Sequence, residues 1–205
     1  GDQLDDFYIT KAINGSGGLF FQSKNGKLQR QEQAVFSSFK ESEETNVHFF
    51  DANKDGFQDL YIGMSGSEWP EGHKNLRDRL LINDGKGNFK DESFRLPAFY
   101  QHTGAITSTD FDKDGDEDLF IGNHFISGKY GFSSQSYLLI NDGKGHFSSL
   151  SEKKGFDVSG MVTDAKWVDL DGDNWLDLLI VGEWMPIRIF KNKRGILNEI
   201  KNTSL

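Results

Sequence analysis

The sequence predicts an all-β protein and, within that class, a β-propeller of four-stranded antiparallel blades. Three observations lead there. An acidic decapeptide recurs in register, DANKDGFQDL from Asp51, DFDKDGDEDL from Asp110 and DLDGDNWLDL from Asp169, with first residues 59 positions apart both times. A second motif lies between the copies, LLINDGKGNF from Leu80 and LLINDGKGHF from Leu138, with weaker versions in LFFQSKNGKL from Leu19 and RIFKNKRGIL from Arg188. Finally, 23 Gly against 3 Pro, beside 18 Phe, 4 Trp and 5 Tyr, describe short aromatic strands joined by many tight turns.

Four strands fit each repeat. In the middle one they are predicted from Ala105 to Thr109, Asp118 to Gly122, Ser136 to Ile140 and His146 to Leu150. The acidic segment joins the first two, and the Asn-Asp-Gly-Lys-Gly turn joins the last two as a hairpin. The units then run 46–103, 104–160 and 161–205, after a partial one over 1–45. In that partial unit GDQLDDFYI matches the second half of an acidic loop, Asp2 and Asp6 standing where Asp55 and Asp59 stand. Three and a half blades are fewer than a ring normally closes with. The chain therefore reads as a fragment of a larger ring, taken as seven-bladed, rather than a four-bladed ring closed by its own termini. A solenoid is the alternative repeat architecture, but its repeats are typically shorter. An opening Gly with no signal peptide behind it fits a processed or trimmed piece of something longer.

Composition excludes several classes. Apolar residues make up 36%, yet the aromatic content supplies a core, so disorder is not expected. The apolar runs are too short for a transmembrane helix, and no membrane insertion is expected. A net charge of −9 argues against a nucleic-acid surface. With no Cys, neither disulfides nor a thiolate zinc site can form. The five His (His48, His73, His102, His124, His146) show no metal-ligand spacing, and no nucleophile elbow or phosphate-cradling loop is present, so the chain is not expected to be an enzyme.

The acidic loops carry the chemistry. The pattern D-x-[DN]-x-[DN] followed by Gly or Asn and closed by Asp places oxygens at alternate positions of a tight loop, where they converge. Oxygen-only donors in a flexible set select a hard cation, and Ca²⁺ over Mg²⁺. One Ca²⁺ is assigned to each loop: Asp51, Asn53, Asp55 and Asp59; Asp110, Asp112, Asp114 and Asp118; Asp169, Asp171, Asp173 and Asp177. Phe57, Asp116 and Trp175 would each add a backbone carbonyl, and a partial fourth site falls at Asp2 and Asp6. Gly56, Gly115 and Asn174 stand where the loop must turn with positive φ. An EF-hand would need Glu at position twelve, and there the sequence has Ile62, Ile121 and Ile180. Setting aside the eleven ligand carboxylates moves the net charge from −9 to +2, so the acidity belongs mostly to these loops.

These loops, the strands that follow them (LYIG from Leu60, LFIG from Leu119, LLIVG from Leu178) and the NDGKG turns resemble the FG-GAP and VCBS-type calcium-binding propeller repeats. Those repeats occur in integrin α subunits, cartilage acidic protein and bacterial secreted proteins. The Phe-Gly half is absent, and Gly-Ala-Pro is replaced by Gly63-Met64-Ser65, Gly122-Asn123-His124 and Gly182-Glu183-Trp184, so the bacterial branch is the nearer likeness. The resemblance implies the Ca²⁺ roles at the positions named, with no integrin partner carried over.

Strand order puts the acidic loops and NDGKG turns at one end of the units and the second-to-third-strand connections at the other. Those connections hold Trp69, His73, His124, Tyr130, Phe132 and Trp184, a surface for a protein or carbohydrate ligand unless the rings merely pack the loops down. The expected function is thus a calcium-stabilised binding module, extracellular because such loops fill at extracellular calcium. The alternative is part of a polysaccharide-degrading lyase, for which Lys74, Arg77 and Lys129 are weak base candidates.

Overall fold

The computed structural model describes residues 4–15, 17–150 and 156–200. The predicted all-β class is what it contains. A first group of strands, β1 (Phe7–Ile9), β2 (Gly18–Gln22) and β3 (Leu28–Gln31), precedes a single helical turn, α1 (Ala34–Ser37). Then come β4 (Glu43–Phe50), β5 (Asp59–Ser65), β6 (Arg79–Asn83) and β7 (Phe89–Asp91); β8 (Thr103–Thr109), β9 (Asp118–Asn123), β10 (Ser134–Asn141) and β11 (Phe147–Ser149); and β12 (Val158–Val168), β13 (Asp177–Glu183), β14 (Arg188–Asn192) and β15 (Leu197–Glu199). The middle group matches the four predicted strands to within about two residues. The α1 turn was not foreseen. It buries Phe36 against Tyr8 and Phe89.

Within a group, neighbours in sequence pair antiparallel, and in the two middle groups the second strand is the most deeply buried. All residues of β5 (DLYIGMS) and β9 (DLFIGN) are buried, so these strands read as continuous apolar runs covered on both faces. Their side chains alternate between two layers of core. Leu60, Ile62 and Met64 face Tyr8, Leu19 and Phe39, while Tyr61 faces Ile106, Leu119 and Ile121. Phe120 points the other way, into a third layer with Val158, Val162, Leu178 and Phe190. Each group is therefore cemented to the next by a slab of aliphatic and aromatic side chains.

The repeated Gly of the LYIG and LFIG segments explains how closely the groups approach. A Cβ on Gly63 would stand 2.6 Å from Thr103 Cγ2, and one on Gly122 would stand 2.4 Å from Val162 Cγ1. The first strand of the following group passes directly over each glycine. Opposite each of them the first strand of the same group carries a bulge, between Glu44 and Asn46 and between Thr103 and Ala105; a third lies between Val162 and Asp164, opposite Gly182.

The β-propeller is not the observed architecture. β1 to β3 form a three-stranded sheet and β4 to β7 a four-stranded one, but the remaining strands form a single eight-stranded sheet, in the order β15-β14-β13-β12-β10-β9-β8 with β11 beside β10. The join is physical. β10 has eight residues and β11 only three, so the leading half of β10 is left with open backbone groups, and Ser134–Ser136 pair with Val158–Gly160 of the eleven-residue β12. Two of the supposed blades are thus one continuous sheet, and among the described residues no strand pairing closes the sheets into a ring.

Phe120 is fully buried and meets Phe156 edge-on at 6.2 Å. Phe120→Ala is expected to cost about 3–5 kcal/mol in urea unfolding, whereas Leu28→Ser on the exposed side of β3 should stay within about 0.5 kcal/mol. Equal costs at the two positions would contradict this placement of the core.

Candidate metal centre

Each acidic loop connects the first and second strands of a group, and all three fold on the same hydrogen-bond plan. The N–H of the sixth loop residue donates to the first Asp: Gly56 to Asp51 Oδ2 at 2.8 Å, Gly115 to Asp110 Oδ2 at 3.1 Å and Asn174 to Asp169 Oδ2 at 2.9 Å. The N–H of the seventh donates to the fifth: Phe57 to Asp55 Oδ1, Asp116 to Asp114 Oδ1 and Trp175 to Asp173 Oδ1, at 2.9, 3.2 and 2.9 Å. The predicted left-handed turn is present, with φ of 84° at Gly56, 94° at Gly115 and 66° at Asn174. Sequence reasoning missed a second such position two residues earlier, at Lys54, Lys113 and Gly172, with φ of 60°, 63° and 77°. Lys gives no sign of it, and only Gly172 offered a clue.

The last Asp of each loop opens the second strand and is fully buried in all three cases. Asp59 Oδ2 accepts from Ala52 N at 3.0 Å and Oδ1 from Asn83 N at 2.8 Å. Asp177 is held likewise by Leu170 N at 3.2 Å and Asn192 N at 2.8 Å. Asp118 differs. Its Oδ1 accepts from Asn141 N at 2.9 Å, but its Oδ2 is buried with no hydrogen-bond partner, as are Asp110 Oδ1 and Asp116 Oδ1. Burial pushes the Asp118 carboxyl up to about 8, with Asp112, Asp116 and Asp114 adding repulsion. Burial also raises Asp59, to about 6. A buried carboxylate short of a donor and amid like charges is costly unless it takes up a proton or a cation supplies the missing interaction.

Two loops gather three carboxylates tightly enough to hold a metal ion. Asp110, Asp112 and Asp114 offer oxygens within 4.8 Å of one another, and so do Asp169, Asp171 and Asp173. In the first loop Asn53 takes the middle place and its Nδ2 donates to Asp55 Oδ2 at 3.0 Å. The third loop carries its own ammonium, because Lys191 contacts Asp171. Of the partial fourth site, Asp2 lies outside the described residues, and Asp6 Oδ1 accepts from Gln22 N at 3.0 Å.

The NDGKG turns lie beside the acidic loops, as the strand order requires. Asn83 Oδ1 accepts from Gly85 N and Gly87 N, and Asn141 Oδ1 from Gly143 N and Gly145 N. At the far end the aromatic residues divide. Trp69 stacks on His73 at 4.3 Å, and buried His102 stacks on Phe125 at 3.9 Å between Ser65 and Ser127, so these rings pack the connections at this end. Tyr130, Phe132 and Trp184 stay exposed, Trp184 at 79% with a left-handed φ of 53°. Lys74, Arg77 and Lys129 also lie at this end, away from the acidic loops, and Arg77 donates to Ser93 O at 2.9 Å.

The fold and loops define an all-β protein with repeated acidic turns, two of which can hold a metal ion through three carboxylates each. No protein-family model matches the chain, so the FG-GAP and VCBS likeness stands on the quoted motifs alone. The chain is similar to cartilage acidic protein 1 of Xenopus tropicalis, 29% identical over an alignment of 169 residues that covers 74% of this chain and 23% of that protein. It thus spans less than a quarter of that relative's length. No described helix is long and apolar enough to cross a membrane.

Two outcomes are expected from this geometry. Since Asn174 holds a left-handed φ, Asn174→Gly should be tolerated, while Asn174→Val should cost about 1–2 kcal/mol in thermal unfolding. Equal stability of the two variants would contradict it. The second concerns His102, which burial lowers from 6.5 to about 4. As the pH falls through 6.5 the unfolded chain takes up this proton first, so the contribution of His102 is full above that pH and is lost towards about 4. His102→Gln should flatten the fall of the urea midpoint over that interval. An unchanged slope would argue against a buried neutral imidazole.

Proposed function

We propose that this chain is a calcium-stabilised, non-catalytic binding module of a protein that works outside the cell. In this reading Ca²⁺ is held by Asp51, Asn53, Asp55 and Asp59, by Asp110, Asp112, Asp114 and Asp118, and by Asp169, Asp171, Asp173 and Asp177. The carbonyls of Phe57, Asp116 and Trp175 complete the sets. The observation that carries it is the second loop, where Asp110, Asp112 and Asp114 bring oxygens within 4.8 Å of one another and Asp110 Oδ1 and Asp118 Oδ2 are each buried with no hydrogen-bond partner. Oxygen donors alone, in loops whose flexibility exceeds what a small octahedral ion tolerates, favour Ca²⁺. The ion would supply charge neutralisation and cross-link a loop to the strand that follows it.

Surface loops of this kind bind weakly enough to fill at extracellular calcium and stay empty at resting cytosolic levels, which supports the extracellular placement. The exposed rings of Tyr130, Phe132 and Trp184, at the end away from the acidic loops, support recognition of a protein or glycan there.

Thermal unfolding with and without chelator tests the reading. Calcium at about 100 times Kd adds about 2.7 kcal/mol per filled site. EDTA is therefore expected to lower the Tm substantially, and Ca²⁺ to restore it far better than Mg²⁺. A Tm indifferent to EDTA, together with no heat of Ca²⁺ binding in calorimetry, would remove both the calcium assignment and the reason for the extracellular placement.

A further inference from the structure

The acidic loops are joined to one another through two buried asparagines. Asn141 ends β10 and holds Asp118 through its backbone N–H. Its side chain reaches in two directions: Nδ2 donates to Glu117 O in the second loop at 3.1 Å and to Ala52 O in the first loop at 2.8 Å. Asn192, at the end of β14, repeats the arrangement one group later. Its N–H holds Asp177, and its Nδ2 donates to Leu176 O in the third loop at 3.1 Å and to Phe111 O in the second at 2.7 Å. Both asparagines are buried, as are Ala52 and Phe111. The Asn141 Oδ1 accepts from Gly143 N and Gly145 N, and the Asn192 Oδ1 from Gly195 N.

A second contact bridges each of the same joints. The fourth residue of one loop touches the seventh of the next: Lys54 Nζ lies 3.5 Å from Asp116, and Lys113 Nζ lies 4.4 Å from the centre of the Trp175 ring. Phe111 O and Ala52 O belong to the second residue of their loops, adjacent to the first ligand. Leu176 and Glu117 precede the last one. Each asparagine thus ties the entry of one loop to the exit of the next, in a side chain whose polar atoms are all engaged.

We propose that Asn141 and Asn192 are positioning residues that make the three loops one coupled array, so that a cation in one loop raises the affinity of its neighbours. The proposal rests on the calcium reading above. Ordering Asp110 around an ion fixes the neighbouring Phe111 carbonyl. That carbonyl fixes the Asn192 amide, and the Asn192 N–H fixes Asp177, the last ligand of the third loop. An unfilled second loop leaves Phe111 free to move, and the third loop must then pay the ordering of its own exit.

Terbium serves as the probe, since Trp175 lies within the third loop and sensitises emission from an ion held there. Trp175→Phe identifies that component by its loss. Asp112→Ala is used to empty the second loop. It is expected to move the third-loop midpoint to about fivefold or more higher terbium, and the shift should vanish in an Asn192→Ser background. An unchanged midpoint after Asp112→Ala overturns the coupling. A shift that persists in Asn192→Ser overturns the asparagine route. If Asn192→Ser does not fold, Asn192→Asp takes its place, keeping the shape and the Gly195 acceptor while losing the amide donor. The first arm decides the coupling in either case. Calorimetric Ca²⁺ titration separates the two levels of failure: no binding overturns the calcium reading itself, whereas binding to independent loops overturns only the coupling.

Discussion

The constraint on which the rest depends is the burial of one aspartate in each of the last three groups, Asp59, Asp118 and Asp177. Each sits at the first position of the second strand of its group and uses one oxygen to hold the N–H of the asparagine that begins the neighbouring hairpin turn. A loop, a strand and a hairpin therefore meet at one carboxylate. Such a group is expensive in the interior unless it is fully donated to. Asp59 and Asp177 are satisfied by backbone N–H groups on both oxygens, whereas Asp118 is not. The same placement that organises the fold thus leaves a demand that a proton or a cation can meet, and that demand is greatest in the second loop.

The groups are built alike but are not joined alike. Between the first two sheets, and between the second sheet and β8 to β11, no described strand pairs with a strand; contact runs through layers such as Leu60, Ile62 and Leu81 on one side and Tyr61 and Leu80 on the other, with single hydrogen bonds such as Glu44 N to Lys11 O and Thr45 Oγ1 to Thr103 O. Between the last two groups the backbone joins as well, because β10 and β12 both extend past their hairpin partners and pair where they overlap. Gly122 is what lets β12 come so near, with Val162 directly over it. Close approach and long strands together turn two sheets into one.

Much of the loop chemistry was legible in the sequence because it is local. Alternate oxygens, a Gly or Asn at the sixth place and a closing Asp within nine residues specify the turn with no help from the rest of the chain, and Gly56, Gly115 and Asn174 adopt the expected conformation. The strands of the middle group were legible for the same reason, through apolar runs bounded by turns. The pairing of Ser134–Ser136 with Val158–Gly160 was not, since short polar and small residues carry no periodic signal and the contact spans some two dozen positions. The bridging role of Asn141 was hidden for another reason. An Asn before Asp-Gly reads as ordinary hairpin chemistry, which it also performs, and nothing in the sequence announces that its amide crosses to Ala52.

The two ends of the sheets consequently face different constraints. At the loop end, side chains are committed to one another through buried asparagines and aspartates, and a change at any of them strands a polar atom in the interior. At the far end, Trp69 packs on His73 of its own connection and His102 is held between β5 and the β9–β10 connection, and their rings are spent on that task. Trp184 is not. Its left-handed backbone conformation is unfavourable for a bulky residue, and it presents its indole to solvent, with Tyr130 meeting it edge-on at 5.8 Å and the Tyr130 hydroxyl donating to Glu183. Strain held in order to expose an apolar ring works against stability.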